Sequence, residues 1–161
     1  MSLWVVDTSP LIFLAKLDRL DLLQSGADHV VAPQAVLREV REQPDSASEE
    51  IEAATKSWLS VGTVQNQRLV DVLMADLGPG ESEVIALALE TDAERVVIDD
   101  LDARRFSHRV GLSPIGTLGL LLAARLRREI PSLRAELDRL RQAGFRVSPT
   151  LALELLRAAG E

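Results

Sequence analysis

With 161 residues, 47% of them hydrophobic, the chain has the size of one domain and enough apolar surface for a core, which excludes a disordered tail. It has no cysteine, and its two histidines, His29 and His108, lack metal-ligand spacing, so disulfides and thiolate metal sites are excluded and any metal would be a hard cation held by oxygen. The net charge of −7 is uneven: residues 1–100 hold 7 Lys and Arg against 19 Asp and Glu, whereas residues 101–161 hold 11 against 6, a split that suits a polyanion partner and equally suits solvated helix faces.

The chain begins without a basic n-region and apolar h-region, and no apolar run reaches the roughly 20 residues of a membrane span. A cytoplasmic location without membrane contact is the expectation. Leu3 to Val6 read as a buried strand that delivers Asp7 to its carboxyl end, where ligands collect in open α/β sheets. Asp7 as a helix N-cap is the competing reading. Ser9 followed by Pro10 supplies a cap and a first helical residue without it.

Helical patterns over about 10–17 and 18–25 lead to a second strand, His29 to Ala32. Pro33 then opens a helix to Glu42 with Val36, Leu37 and Val40 as its apolar stripe and Glu39 at the margin, a place that an ordinary surface glutamate also takes. A helix at 48–58, a strand at 60–64 and a helix at 68–75 follow. Gly78-Pro79-Gly80 introduces a helix from Glu81 to Glu90, with Glu81 and Glu83 in a first turn where the helix dipole alone favours acids. The strand Arg95 to Ile98 ends in Asp99, Asp100, Leu101 and Asp102. A cap needs one carboxylate; three this close repel one another, and a divalent cation would offset the repulsion.

A helix at 102–110, a strand at 112–115 and helices at 117–128, 133–142 and 149–158 complete the chain, the last two on either side of Phe145-Arg146-Val147. Strands alternating with helices predict an α/β fold, a three-layer α/β/α sandwich around a mostly parallel sheet. The chain reads as a single domain, with 131–161 a helical extension packed on it or on a second copy in a homodimer.

Other chemistries fail on details. Gly78-Pro79-Gly80 does not follow a strand as a dinucleotide fingerprint would, and there is no Gly-Lys-Ser/Thr phosphate loop. Ser9 and Thr117 have no neighbouring histidine to serve as base, and a phosphoacceptor receiver domain would need an acidic pair where Asp7 stands alone before Thr8 and Ser9.

Four segments in order resemble the PIN-domain nucleases: 5–12 around Asp7, 32–40 around Glu39, 80–88 around Glu81 and Glu83, and 97–102 around Asp100. The later 114–121 and 144–148 are similar to the bacterial and archaeal branch of that superfamily, so the resemblance spans nearly the whole chain. It implies a Mg²⁺- or Mn²⁺-dependent ribonuclease, with RNA as substrate and, for a toxin-type member, a cognate antitoxin as partner.

Residue by residue, the resemblance implies Asp7 and Asp100 as primary metal ligands, and Glu39 and Glu83 as direct or water-mediated ones. The family usually has Asp at the third place. Here Glu83 aligns with it and Glu81 is the alternative, while the family's Asp-x-Asp matches Asp100 and Asp102 and leaves Asp99 as an extra carboxylate. Thr8 and Ser9 would position water or phosphate, and Arg104, Arg105 and His108, on the helix after the acid cluster, are candidates for RNA backbone contact against the commoner reading of a solvated helix face. Phosphodiester hydrolysis needs an activated water and neutralised phosphoryl oxygens, which carboxylate-held divalent ions supply. The alternatives are a PIN-like scaffold that binds RNA or protein without turnover, and a small-molecule phosphohydrolase.

Overall fold

Five short strands, β1 (Leu3–Val6), β2 (His29–Pro33), β3 (Leu59–Gly62), β4 (Arg95–Val97) and β5 (Pro114–Ile115), form one sheet in the computed structural model, which describes residues 1–161. Every pairing is parallel and the order is β3-β2-β1-β4-β5, so β1 lies at the centre. The apolar runs explain this placement: Val5, Val6, Val96 and Val97 are wholly buried, as strands covered on both faces must be.

The helices are α1 (Thr8–Lys16), α2 (Asp21–Gly26), α3 (Gln34–Arg41), α4 (Ser46–Thr55), α5 (Gln67–Leu73), α6 (Pro79–Thr91), α7 (Leu101–Arg109), α8 (Thr117–Leu126), α9 (Leu133–Gln142) and α10 (Pro149–Ala158). From β1 to β2 to β3 the chain steps one way across the sheet; from β3 to β4 to β5 it steps back. Right-handed crossovers put α1 and α4 on one face and α5–α7 on the other, while α3 lies at the carboxyl edge of the sheet and touches α1, α4 and α6. Accordingly, α6 packs across β1, β2 and β4, whereas α1 packs against α4 and α8. This is the three-layer α/β/α sandwich. The direction reverses between β1 and β4, so the connections leaving their carboxyl ends diverge toward opposite faces, the place where open α/β sheets form a crevice.

Several element starts differ from expectation, α2 at Asp21, α4 at Ser46 and β5 at Pro114 among them, and two of these differences bear on the site. The first helix begins at Thr8 with Asp7 as N-cap residue, so Pro10 is its third residue and Ser9 is not the cap. Proline is tolerated there because the first-turn N–H groups have no helical acceptor in any case. The helix expected from Glu81 begins instead at Pro79, with Gly78 as cap, which places Glu81 at the third helical position.

The terminal helices lie on the chain's own core. Leu133, Leu137 and Leu140 of α9 and Leu156 of α10 join the buried cluster, and Phe145 meets Phe13 edge-on at 4.9 Å. Glu136 of α9 is 3% exposed and takes Arg19 at 2.7 Å and Arg139 at 3.1 Å, while Arg139 also donates to the Leu17 carbonyl at 2.6 Å. Glu161 accepts from the Leu133 N–H at 2.6 Å, satisfying an orphan donor at the start of α9. No helix is long and apolar enough to cross a membrane.

Candidate active site

Asp7 is pinned by its backbone. Its N–H donates to the Val97 carbonyl at 2.9 Å, continuing the β1–β4 ladder by one residue, so the side chain emerges at the crevice beside the exit of β4. Although Asp7 occupies the N-cap position of α1, its carboxylate makes no cap hydrogen bond, and the residue is only 5% exposed. Burial pushes its pKa up to about 7; the Thr8 amide opposes the rise, and the charges of Glu81, Glu39 and Asp99 add to it.

Glu39 reaches the same edge from the half-buried margin of α3. Thr8 Oγ1 donates to its Oε2 at 2.6 Å and the Gly80 N–H to its Oε1 at 2.9 Å, so one carboxylate ties together the starts of α1 and α6. Glycine at position 80 leaves room for this approach, because a Cβ there would lie 2.7 Å from Glu39 Oε1 and displace the carboxylate.

The two acids of α6 separate. Glu81 accepts the Gly78 N–H at 3.0 Å through Oε2 and remains within the field of the other acids; burial raises its pKa first, with Asp100, Glu39 and Asp102 adding and the Gly78 amide opposing. Glu83 turns to α3, where Oε1 accepts the Ala35 N–H at 3.1 Å and Oε2 lies 3.5 Å from Arg38. It caps a first-turn donor of that helix.

The acids after β4 divide as well. Asp99 is held by three donors: Ser9 Oγ at 2.7 Å, Thr117 Oγ1 at 2.8 Å and the Thr117 N–H at 2.7 Å. Asp100 is the N-cap of α7, taking the Ala103 N–H at 3.3 Å on Oδ1. Asp102 is exposed, with Arg105 4.0 Å away. Arg104 lies at the same edge, since a Cβ on Gly116 would meet its guanidinium at 2.9 Å and Asp99 Oδ1 at 3.0 Å. Arg105 and His108 face a cavity between α5 and α7 instead.

Sequence reasoning missed Thr117, wholly buried and the main donor to Asp99. Its signal was there: Gly116-Thr117 ends the strand beside β4 and opens a helix, as Asp7-Thr8 does after β1.

Every oxygen donor at this edge is hard, which suits Mg²⁺ or Mn²⁺ and no softer metal. No three of the carboxylates close on one point. An ion at this edge would take one or two protein oxygens and complete its shell with water and substrate. Asp7 fits such a role, and Glu81 and Asp100 each keep one oxygen outside the hydrogen bonds above, whereas both oxygens of Glu39 and of Asp99 are engaged.

No protein of curated function matches the sequence. A family described as PIN domain matches residues 3–161. With that match running nearly end to end, the chain belongs to the PIN-domain family.

Proposed function

We propose that the protein is a divalent-metal-dependent endoribonuclease that hydrolyses RNA phosphodiester bonds at the carboxyl edge of β1 and β4. The observation that carries this reading is Asp7: a carboxylate 5% exposed, without a cap hydrogen bond, pushed up to about 7 and surrounded by Glu39, Glu81 and Asp99. Folding gains nothing from such a group as a lone anion, and an ion or proton must relieve it.

In this reading Asp7 is the primary metal ligand, with Asp100 and Glu81 holding the ion directly or through water. The third acid is Glu81 rather than Glu83, because Glu83 is committed to the start of α3. Glu39, clamped by Thr8 and Gly80, and Asp99, clamped by Ser9 and Thr117, keep the walls of the crevice fixed around the reacting phosphate. Bound Mg²⁺ or Mn²⁺ supplies an activated water and offsets charge on the phosphoryl oxygens. Arg104, beside Asp99 and Gly116, is placed to meet the RNA backbone.

The test is incubation with single-stranded and structured RNA in Mn²⁺ or Mg²⁺. Cleavage should appear with metal and vanish with EDTA. Asp7→Asn should lower it at least about 100-fold, since losing a direct ligand outweighs the 10–100-fold typical of its outer-shell partners. Metal-independent cleavage, or undiminished cleavage by Asp7→Asn, rejects the mechanism. RNA binding without turnover would return the protein to the scaffold reading.

A further inference from the structure

An open cavity of about 820 Å³ lies between α5 and α7, next to the acids, within the roughly 300–1,000 Å³ of ligand pockets. One wall is apolar: Leu69, Val72 and Leu73 of α5 face Phe106 of α7. Val72, 69% exposed, carries this apolar wall out to the open side of the cavity. The rim is mixed: Asp76 and Asp102 line it together with Arg105 and Arg109, and Arg105 lies 4.0 Å from Asp102, whereas Arg109 has no carboxylate partner and its guanidinium sits 5.6 Å over the Phe106 ring.

The cavity adjoins the acidic site through Asp102. Asp102 lines it and also acts electrostatically on Glu81. The helix that begins at the Asp100 cap carries the rim residues one to two turns further on, about 5–10 Å along its axis from Asp102.

We propose that this cavity is a nucleotide subsite, taking the base of the RNA unit next to the cleaved bond against Leu73, Val72 and Phe106 and its phosphate against Arg105 and Arg109. The position of that unit rests on the nuclease reading above. A nucleotide is the occupant that matches the apolar wall and the unpaired Arg109 together, because an apolar face and an anion come joined in one unit; stacking and guanidinium contacts are how single strands are held without sequence readout. An aliphatic segment would cover the wall and leave Arg109, the arginine of the rim without a carboxylate partner, unmatched.

Methyl NMR with AMP, GMP, CMP and UMP tests the cavity directly. Methyl shifts should concentrate at Leu69, Val72 and Leu73 and disappear in Val72→Glu, a substitution at an exposed position that narrows the cavity and repels phosphate. Absent shifts, or shifts unchanged in Val72→Glu, overturn the subsite. Perturbation of the same methyls on dilution without nucleotide assigns the wall to a second copy and also overturns it.

A second measurement separates this inference from the nuclease reading. In oligonucleotide cleavage, Val72→Glu should raise KM about tenfold or more while leaving kcat within about twofold. An unchanged KM removes the subsite and leaves the nuclease standing. If the unaltered protein cleaves no RNA, the nuclease reading falls, and the mononucleotide titration still decides what the cavity binds.

Discussion

Glu81 and Glu83 are separated by two residues of α6, about 200° of helical rotation, so their side chains leave opposite sides of the helix. Glu81 stays over the crevice, and Glu83 satisfies the Ala35 N–H of α3. Glu81→Gln should therefore reduce RNA cleavage at least about tenfold with the melting temperature unchanged or raised. Glu83→Ala should do the reverse, costing about 0.5–2 kcal/mol of stability, as lost caps do, with cleavage per folded molecule retained. Denaturant melts beside single-turnover assays check both, and equal losses of activity would contradict the division. The sequence places both acids in a first turn but does not say which side each faces, because that depends on where the helix starts. Pro79 held the clue, as a proline directly after Gly78 marks a first helical residue. Likewise three acids after β4 were readable as an excess, whereas which one caps α7 depends on the exact end of the strand, which Asp100 settles by bonding Ala103.

Helix starts are the elements that assemble the site, and α6 shows how tightly. Alanine in place of glycine ordinarily favours a helix by about 0.5–1 kcal/mol. At Gly80 the added carbon would press on Glu39 Oε1 from 2.7 Å and push the carboxylate off the Gly80 N–H. Gly80→Ala is thus expected to keep helical circular dichroism and gain no stability, while cleavage falls at least about tenfold; unaltered cleavage would show that Glu39 tolerates the shift. Contacts of this kind leave no periodic trace. The short apolar strands and the stripe of Val36, Leu37 and Val40 were legible because burial imposes spacing, but Thr8 to Glu39 and Ser9 to Asp99 join residues 31 and 90 positions apart. Only the strand order brings them together, and periodicity is silent on strand order.

At the scale of the molecule, the arginine-rich last third is less of a basic surface than its composition suggests. Arg127 pairs locally with Glu129 and Arg139 with Glu136 on its own helix, while Arg125 to Glu161 and Arg139 to the Leu17 carbonyl bind the terminal helices to the domain. The acidic edge has a global consequence of its own. A carboxyl whose pKa rises from 3.8 to about 7 on folding holds its proton more tightly in the native state, so its contribution to stability is complete below pH 4 and is lost as pH climbs through 7. The loss is on the order of 4 kcal/mol. Urea melts in EDTA should show the protein weaker at pH 8 than at pH 5, and Asp7→Asn should remove most of that slope; parallel profiles would contradict it. Folding near pH 6 then draws a proton out of solution, and any cation that later takes the proton's place competes with acid for it, binding more weakly as the medium becomes more acidic.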